Sequence, residues 1–374
     1  MAQPVAGRYM IRSIVRAADV LRAFQNPGDT LRLCDVVRIT GIDKGTAFRL
    51  LRTLSECGFL DRAGTQKYSC PLNYNKRKRY RIGFAGGGDR SLFNREVTNS
   101  LTQAAADSAI DIVVVDNRYS GKHSLRAIDR LLKESVDLII EYQSTYDIAP
   151  LIASKCAAQG IPLIAVEIPH PGAIYFGANN YEAGLIAGRC LARWAKARWG
   201  GEIDEIILIE QRRAGPIPQA RLVGSIDGLV DVLPSARNCR VVNLDGDSDF
   251  GKTLIALRRH LAFSKSKHVL VAALDDTSAL GALRAFEELG RANCCAVVGQ
   301  NAAPEARLEL RRKETRLIGS VGYFPEQYGN ALIRLALDLL NKKSVPPALF
   351  IKHSLITAEN VDRFYPNDKL MGYA

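Results

Sequence analysis

From Tyr80 onward, short apolar runs alternate with amphipathic stretches of roughly 12–18 residues, and this alternation restricts the possible folds more than any other feature of the chain. The runs are Arg81–Ala85, Ile110–Val115, Val136–Glu141, Leu163–Val166, Ile203–Ile209, Arg240–Asn243, Val269–Ala273, Ala296–Gly299 and Leu317–Val321. Strands too apolar to face water on one side, separated by helices, form a parallel sheet covered on both faces. So many strands exceed one small sheet, so two similar lobes are expected. The fold class read here is α/β: two lobes of parallel sheet covered by helices, preceded by a smaller helical domain. The boundaries read from the pattern are residues 1–70 for the small domain, 71–80 for a basic linker and 81–374 for the two lobes.

Residues 1–70 obey a different pattern, helix, helix, helix, hairpin. Ile11, Ile14, Ala18 and Leu21 recur at helical spacing and predict one buried face. Asn26-Pro27-Gly28-Asp29 ends that helix. Leu33 to Ile39 form a short second helix, and Thr40-Gly41-Ile42 a turn. Asp43 is placed to cap a third helix that runs to Cys57 and stops at Gly58. The buried stripe of this third helix is Ala47, Leu50, Leu51 and Leu54, and its other face shows Lys44, Gly45, Phe48, Arg49 and Arg52. Phe59–Arg62 and Gln66–Ser69 read as two short strands about Ala63-Gly64-Thr65.

Charge is concentrated in the same place. Residues 1–80 carry +9 of the net +12. A basic module of this kind meets polyanions, nucleic acid first and membrane surface second. Lys44, Gly45 and Thr46 at the start of the third helix are placed to approach base edges, and Arg49 and Arg52 suit guanine or phosphate. Arg62 and Lys67 on the hairpin would lie near phosphates. The competing reading is a solvated basic face on a small interaction module. Lys76-Arg77-Lys78-Arg79 reads equally as a solvated charge run and as a phosphate-contacting linker.

The blocks Arg12-Ser13-Ile14, Ala17-Ala18-Asp19-Val20-Leu21, Leu31-Arg32-Leu33, Thr40 through Leu54, Gly58-Phe59-Leu60 and Tyr68 together resemble the winged helix-turn-helix of IclR-type regulators over about residues 8–70. The resemblance implies dimeric binding to pseudo-palindromic operators. Phe48 departs from it, standing where a smaller polar residue or histidine is implied. Residues 81–355 are similar instead to the ribose-type periplasmic binding fold (type I) that LacI-type repressors also use. The blocks that carry this are Val271 through Ala285, Ala296 through Asn301, Gly160-Ile161-Pro162-Leu163-Ile164, Ala178 through Gly184, Arg221 with Gly224 and Gly228, and Phe324 through Gly329. The resemblance implies a first lobe of about 81–178 plus 324–351 and a second of about 179–323 plus the C-terminal segment, with a sugar held between them, outside the C-terminal strand ends. Carried over, the site includes Asp89 and Phe93 after the first strand, Glu167 after Leu163–Val166, Arg221 at the start of a helix, Asp275 and Asn301 at two strand ends, and Tyr323 at a crossover. Carboxylates and amides satisfy hydroxyl pairs, Arg221 forks to two hydroxyls, and aromatic faces stack on a ring. Ile168 stands where the ribose proteins place arginine, and Gly86-Gly87-Gly88 replaces a polar loop.

Gly246-Asp247-Ser248-Asp249-Phe250-Gly251-Lys252-Thr253 satisfies GxxxxGK[ST] after an apolar strand, so a P-loop NTPase with a DNA-binding head is the alternative. Asp247 and Asp249 count against it, since they put carboxylates where phosphate oxygens would sit. The first reading places Lys252 on the outside of a lobe. His123, His170, His260, His268 and His353 show no metal-binding spacing, the eight cysteines form no CxxC pair, and no GxSxG elbow occurs. No apolar run reaches the length of a membrane span, and the first twenty residues lack a signal-peptide core. The expectation is a cytoplasmic, non-enzymatic regulator without cofactor or metal, a homodimer or higher homo-oligomer, that binds operator DNA and a small carbohydrate or polyol.

Overall fold

In the computed structural model, which describes residues 11–24, 28–64, 66–70, 80–88 and 92–368, Met1–Arg79 and Tyr80–Ala374 are separate units. The first contains α1 (Arg12–Arg22), β1 (Thr30–Arg32), α2 (Leu33–Thr40), α3 (Lys44–Glu56), β2 (Asp61–Arg62) and β3 (Lys67–Ser69). Its core is Val20, Phe24, Val36, Ala47, Leu51, Leu60, Tyr68 and Cys70, with Leu50 only partly buried against it. The face expected of α1 is buried only at its C-terminal end: Leu21 packs on the core, with Val20 and Ala17, whereas Ile11 and Ile14 are 62% and 63% exposed. The spacing of the first four apolar residues is shared by two overlapping stripes, and Phe24 just beyond the helix selects the second. Strand β1 was also not foreseen; it pairs antiparallel with β3, which pairs with β2, giving a three-stranded sheet. The turn between α2 and α3 depends on Gly41, whose φ of +68° a side chain would strain.

The second unit runs β4 (Arg81–Gly86), α4 (Leu92–Asp107), β5 (Asp111–Asp116), α5 (Gly121–Lys133), β6 (Leu138–Tyr142), α6 (Ala149–Ala158), β7 (Leu163–Val166), β8 (Ile174–Gly177), α7 (Asn180–Trp199), β9 (Glu205–Glu210), α8 (Pro216–Val232), β10 (Arg240–Asp245), α9 (Phe250–Phe263), β11 (Val269–Ala273), α10 (Asp276–Glu288), β12 (Cys295–Asn301), α11 (Pro304–Leu310), β13 (Leu317–Gly322), α12 (Tyr328–Leu340), β14 (Ala348–Phe350), β15 (Ser354–Ile356) and α13 (Val361–Phe364). Strands β8, β14 and β15 are additions to the sequence pattern; each is only three or four residues long. Two six-stranded sheets result, in the orders β14-β8-β7-β6-β4-β5 and β10-β9-β11-β12-β13-β15. The first is wholly parallel, and in the second only β15 runs antiparallel. Apart from the added edge strands the two orders are the same, with the first strand of each lobe between the second and the third. The chain passes between lobes at 177–180, 322–328 and 350–354. A ligand crevice in such sheets lies where the order reverses, at β4/β6 in one lobe and β9/β11 in the other.

Helices α7 and α8 cross at very short range. A Cβ at Gly184, Gly188, Gly224 or Gly228 would collide with a backbone oxygen of the facing helix. Four glycines therefore bring α8 close enough for one of its side chains to reach the base of α7.

Candidate functional site

Helix α3 begins at an aspartate cap. Asp43 Oδ1 accepts from the Thr46 N–H at 2.9 Å, which holds that carboxyl below its usual range. With Ala47, Leu51 and Leu54 buried, the outward face carries Lys44, Gly45, Arg49 and Arg52, all exposed, and Thr46, half-buried. Arg52 Nε bonds Glu56 at 3.0 Å in an exposed pair of the kind that contributes little to stability. Arg62 is exposed and Lys67 half-buried on the facing strands β2 and β3. These cations hold no core together, so their charge is available to a partner. Lys76–Arg79 lie outside the described residues.

The interlobe crevice is built on one buried ion pair. Arg221 does not start α8 but is its sixth residue, because the helix begins at Pro216. Its Nε bonds Asn180 Oδ1 at 2.6 Å, its Nη1 the Leu274 carbonyl at 3.0 Å and its Nη2 Glu167 Oε2 at 3.3 Å. Glu167 follows β7 in the left-handed region, with φ of +65°. It also accepts from the Tyr328 hydroxyl at 2.8 Å and the Ala178 N–H at 3.5 Å. Burial raises its pKa, opposed by the Arg221 charge and these hydrogen bonds. Glu167 and Tyr328 belong to the first lobe and Arg221 to the second, so the pair bridges the crevice. Ile168, from the first lobe, packs with Ala149 and with Ala214 across the gap.

Above the pair lies a cavity of about 90 Å³, lined by Phe93, Tyr142, Glu167, Arg221, Asp275, Asn301 and Tyr323 among others. It adjoins a vestibule of about 500 Å³ that shares Phe93, Tyr142, Asp275 and Asn301 with it. Phe93 is buried edge-to-face on Tyr328. Tyr323 donates to Gln300 Oε1 at 3.1 Å and lies under the Arg221 guanidinium, 4.8 Å from ring centre to Cζ. Asp275 caps α10, accepting from the Ser278 N–H at 2.8 Å. Asn301 ends β12 at φ +103°, a conformation stored at the cavity wall. The structure thus brings Phe93, Glu167, Arg221, Asp275, Asn301 and Tyr323 to one cavity; Asp89 lies outside the described residues.

Gln143 and Ser144 line this cavity too and went unnoticed in the sequence. Gln143 Nε2 and Ser144 Oγ are buried and meet no partner among the described residues. Gln211, Tyr119 and Tyr142 are further additions. A signal existed, since Gln143-Ser144 directly follow β6 and Gln211 directly follows β9, both at the strand-order reversal. Unpaired buried donors beside aromatic walls and a capped carboxylate suit a neutral molecule with many hydroxyls.

The Lys252 side chain is exposed but lines the vestibule, paired with Asp247, which also binds Arg213 at 2.8 Å. The phosphate-loop geometry is not formed. Asp249 Oδ1 already accepts from the Lys252 N–H at 2.8 Å, so a carboxylate occupies the start of α9 where a phosphate would bind. Among the described residues no group of three or more His, Cys, Asp or Glu side chains could hold a metal ion, and no helix is long and apolar enough to cross a membrane.

Residues 82–344 match the family model of the periplasmic binding protein domain, and residues 13–64 that of the IclR helix-turn-helix domain. Among solved structures the second unit is similar to a solute-binding protein of an ABC transporter from Mycobacterium smegmatis with bound glycerol, at TM-score 0.67 and 20% identity over 76% of this chain and 96% of that one. A counterpart from Bacillus halodurans with bound myo-inositol gives 0.65 and 20% over 78% and 99%. One from Actinobacillus succinogenes with bound D-allose gives 0.64 and 16% over 76% and 99%. At these identities the likeness is one of fold. No curated protein sequence matches the chain significantly.

Proposed function

The chain belongs to the periplasmic binding protein domain family, and from that premise we propose that it is a cytoplasmic transcription regulator in which a small sugar or polyol controls operator binding. The observation that carries this reading is the presence, in one chain, of a binding-protein domain and an IclR helix-turn-helix domain. Neither matched family is a catalytic one. Lys44, Gly45, Thr46, Arg49 and Arg52 would approach the major groove, with Arg62 and Lys67 at phosphates. Two copies would be needed to read a two-fold operator.

The effector would sit over the Arg221–Glu167 pair. Three protein partners already draw on the Arg221 guanidinium, so the donors it has left, with Gln143, Ser144, Asp275 and Asn301, would bind hydroxyls. At about 30 Å³ per water, the inner cavity holds the equivalent of about three waters, which suits a glycerol-sized polyol, and a monosaccharide ring would extend into the adjoining vestibule. Glycerol, myo-inositol and D-allose in the similar structures belong to this class. The effector can alter DNA affinity only by as much as it prefers one arrangement of the lobes.

Duplexes selected from a random pool by the full chain, followed by a polyol and sugar panel in thermal-shift and duplex-binding assays, test this. One compound should raise the unfolding temperature and change duplex affinity; at about 100 times its Kd it stabilises by about 2.7 kcal/mol. A chain that selects no duplex, or whose stabilising sugar leaves duplex affinity unchanged, would overturn the reading.

A further inference from the structure

We propose that Phe48 reads thymine methyl groups in the major groove; this rests on the regulator reading above. Phe48 stands in the second turn of α3, and its side chain is 47% exposed although Ala47, Leu51 and Leu54 already fill the buried stripe. The fold does not need a phenyl ring there. On the helix surface it lies between Lys44, four residues before, and Arg52, four residues after, with Arg49 beside it. Two cations flank the ring along the helix, and a third stands at the next position on the same exposed side. An apolar protein surface covering the ring would have to desolvate those cations as well, which is costly. A polyanion welcomes them, and on a duplex the apolar group that projects into the major groove is the C5-methyl of thymine.

Gly45 supports the same conclusion independently. A Cβ at this position would meet nothing nearer than Asp43 Oδ1 at 3.5 Å, an ordinary contact, and the backbone there is plain helix. Neither space nor backbone conformation requires glycine, and glycine within a helix is less favourable than alanine. The missing side chain leaves a recess beside Phe48 on the outward face, where only an external surface can use it.

The test uses the full chain and a duplex it selects from a random pool, in which each thymine is replaced in turn by deoxyuridine, removing only the methyl. The wild type should lose about fourfold in affinity at a contacted position, about the value of one buried methyl, and about fifteenfold when both half-sites are changed. Phe48→Ala should bind the thymine and deoxyuridine duplexes alike. Gly45→Ala should weaken binding to both while leaving the unfolding temperature unchanged or higher. A cytosine placed at the contacted position should bind better as 5-methylcytosine, which needs no variant protein. Indifference of the wild type to every deoxyuridine, or a methyl effect that survives in Phe48→Ala, would overturn the proposal while leaving the regulator reading intact. Failure to select any duplex would overturn both.

Discussion

The two candidate sites treat arginine in opposite ways. On α3, Arg49 and Arg52 stand in water and contribute nothing to the core. In the crevice, Arg221 is buried against Glu167, Asn180 and the Leu274 carbonyl, and four glycines hold its helix in place. A surface that meets a polyanion needs only charge on an exposed face. A cavity that selects a small neutral molecule needs fixed polar groups in a dry setting, and those groups become part of the fold. Stability and binding should therefore be separable in the first unit and entangled in the second.

The comparison can be broken first at Glu167. Glu167→Ala strands a buried guanidinium and should cost about 3–5 kcal/mol, seen as a lowered denaturation midpoint. Adding Arg221→Met to Glu167→Ala should recover much of it; a double variant whose loss is the sum of the two single losses would mean that the pair is not coupled.

Two aspartates next sharpen the contrast, because they shift in opposite directions. Burial pushes the Asp276 carboxyl up to about 8, while Ser320 and the Ala303 N–H hydrogen-bond to it. The unfolded chain ionises near the ordinary value of 3.8. Between pH 4 and 8 the folded state keeps a proton that the unfolded state has released, so stability of the second unit should fall as pH rises through that window. Asp276→Asn, donating to Ser320 Oγ, should flatten that slope; an unchanged slope would show that Asp276 is ionised. Asp43 is held low by its cap hydrogen bonds, so its contribution is present above pH 4 and fades as the pH drops below it. Asp43→Ala should lower the unfolding temperature of the first unit by a smaller amount and remove that acid dependence.

The smallest effect on stability is expected at Arg49→Ala and Arg52→Ala. Their unfolding temperatures should match the wild type, while each lost phosphate contact would lower the salt-dependence slope of duplex binding by ~0.9. A large loss of stability here would erase the distinction between the two sites.

The same contrast explains how much was readable beforehand. The exposed site is local: Asp43, Thr46, Arg49 and Arg52 lie on one helix, so helical spacing and charge suffice to place them. The crevice is assembled from separate strand ends, and Phe93, Glu167, Asp275 and Asn301 were placed through the likeness to a known fold rather than through spacing. Gln143, Ser144 and Gln211 escaped because amides and hydroxyls carry no periodic signal. Only the strand order, which emerges when β6 and β9 take their places, marks them. The packing of α1 was misread because Ile11 and Ile14 fit a helical stripe as well as Val20 does, and only tertiary contact distinguishes them. Strand β8 follows β7 without the intervening helix on which the alternation relies, and β14 and β15, three residues each near the end of the second unit, are too short to leave a pattern.

Those late strands bear on how the chain comes off the ribosome. β14 completes the edge of the first lobe on β8, and β15 that of the second on β13. The first unit pairs its whole sheet between Thr30 and Ser69. Translation at ~5–20 residues per second then needs roughly 15–60 s to reach residue 356. Within this sequence the strands of the first unit's sheet are therefore all made well before either lobe of the second unit can close its sheet edge.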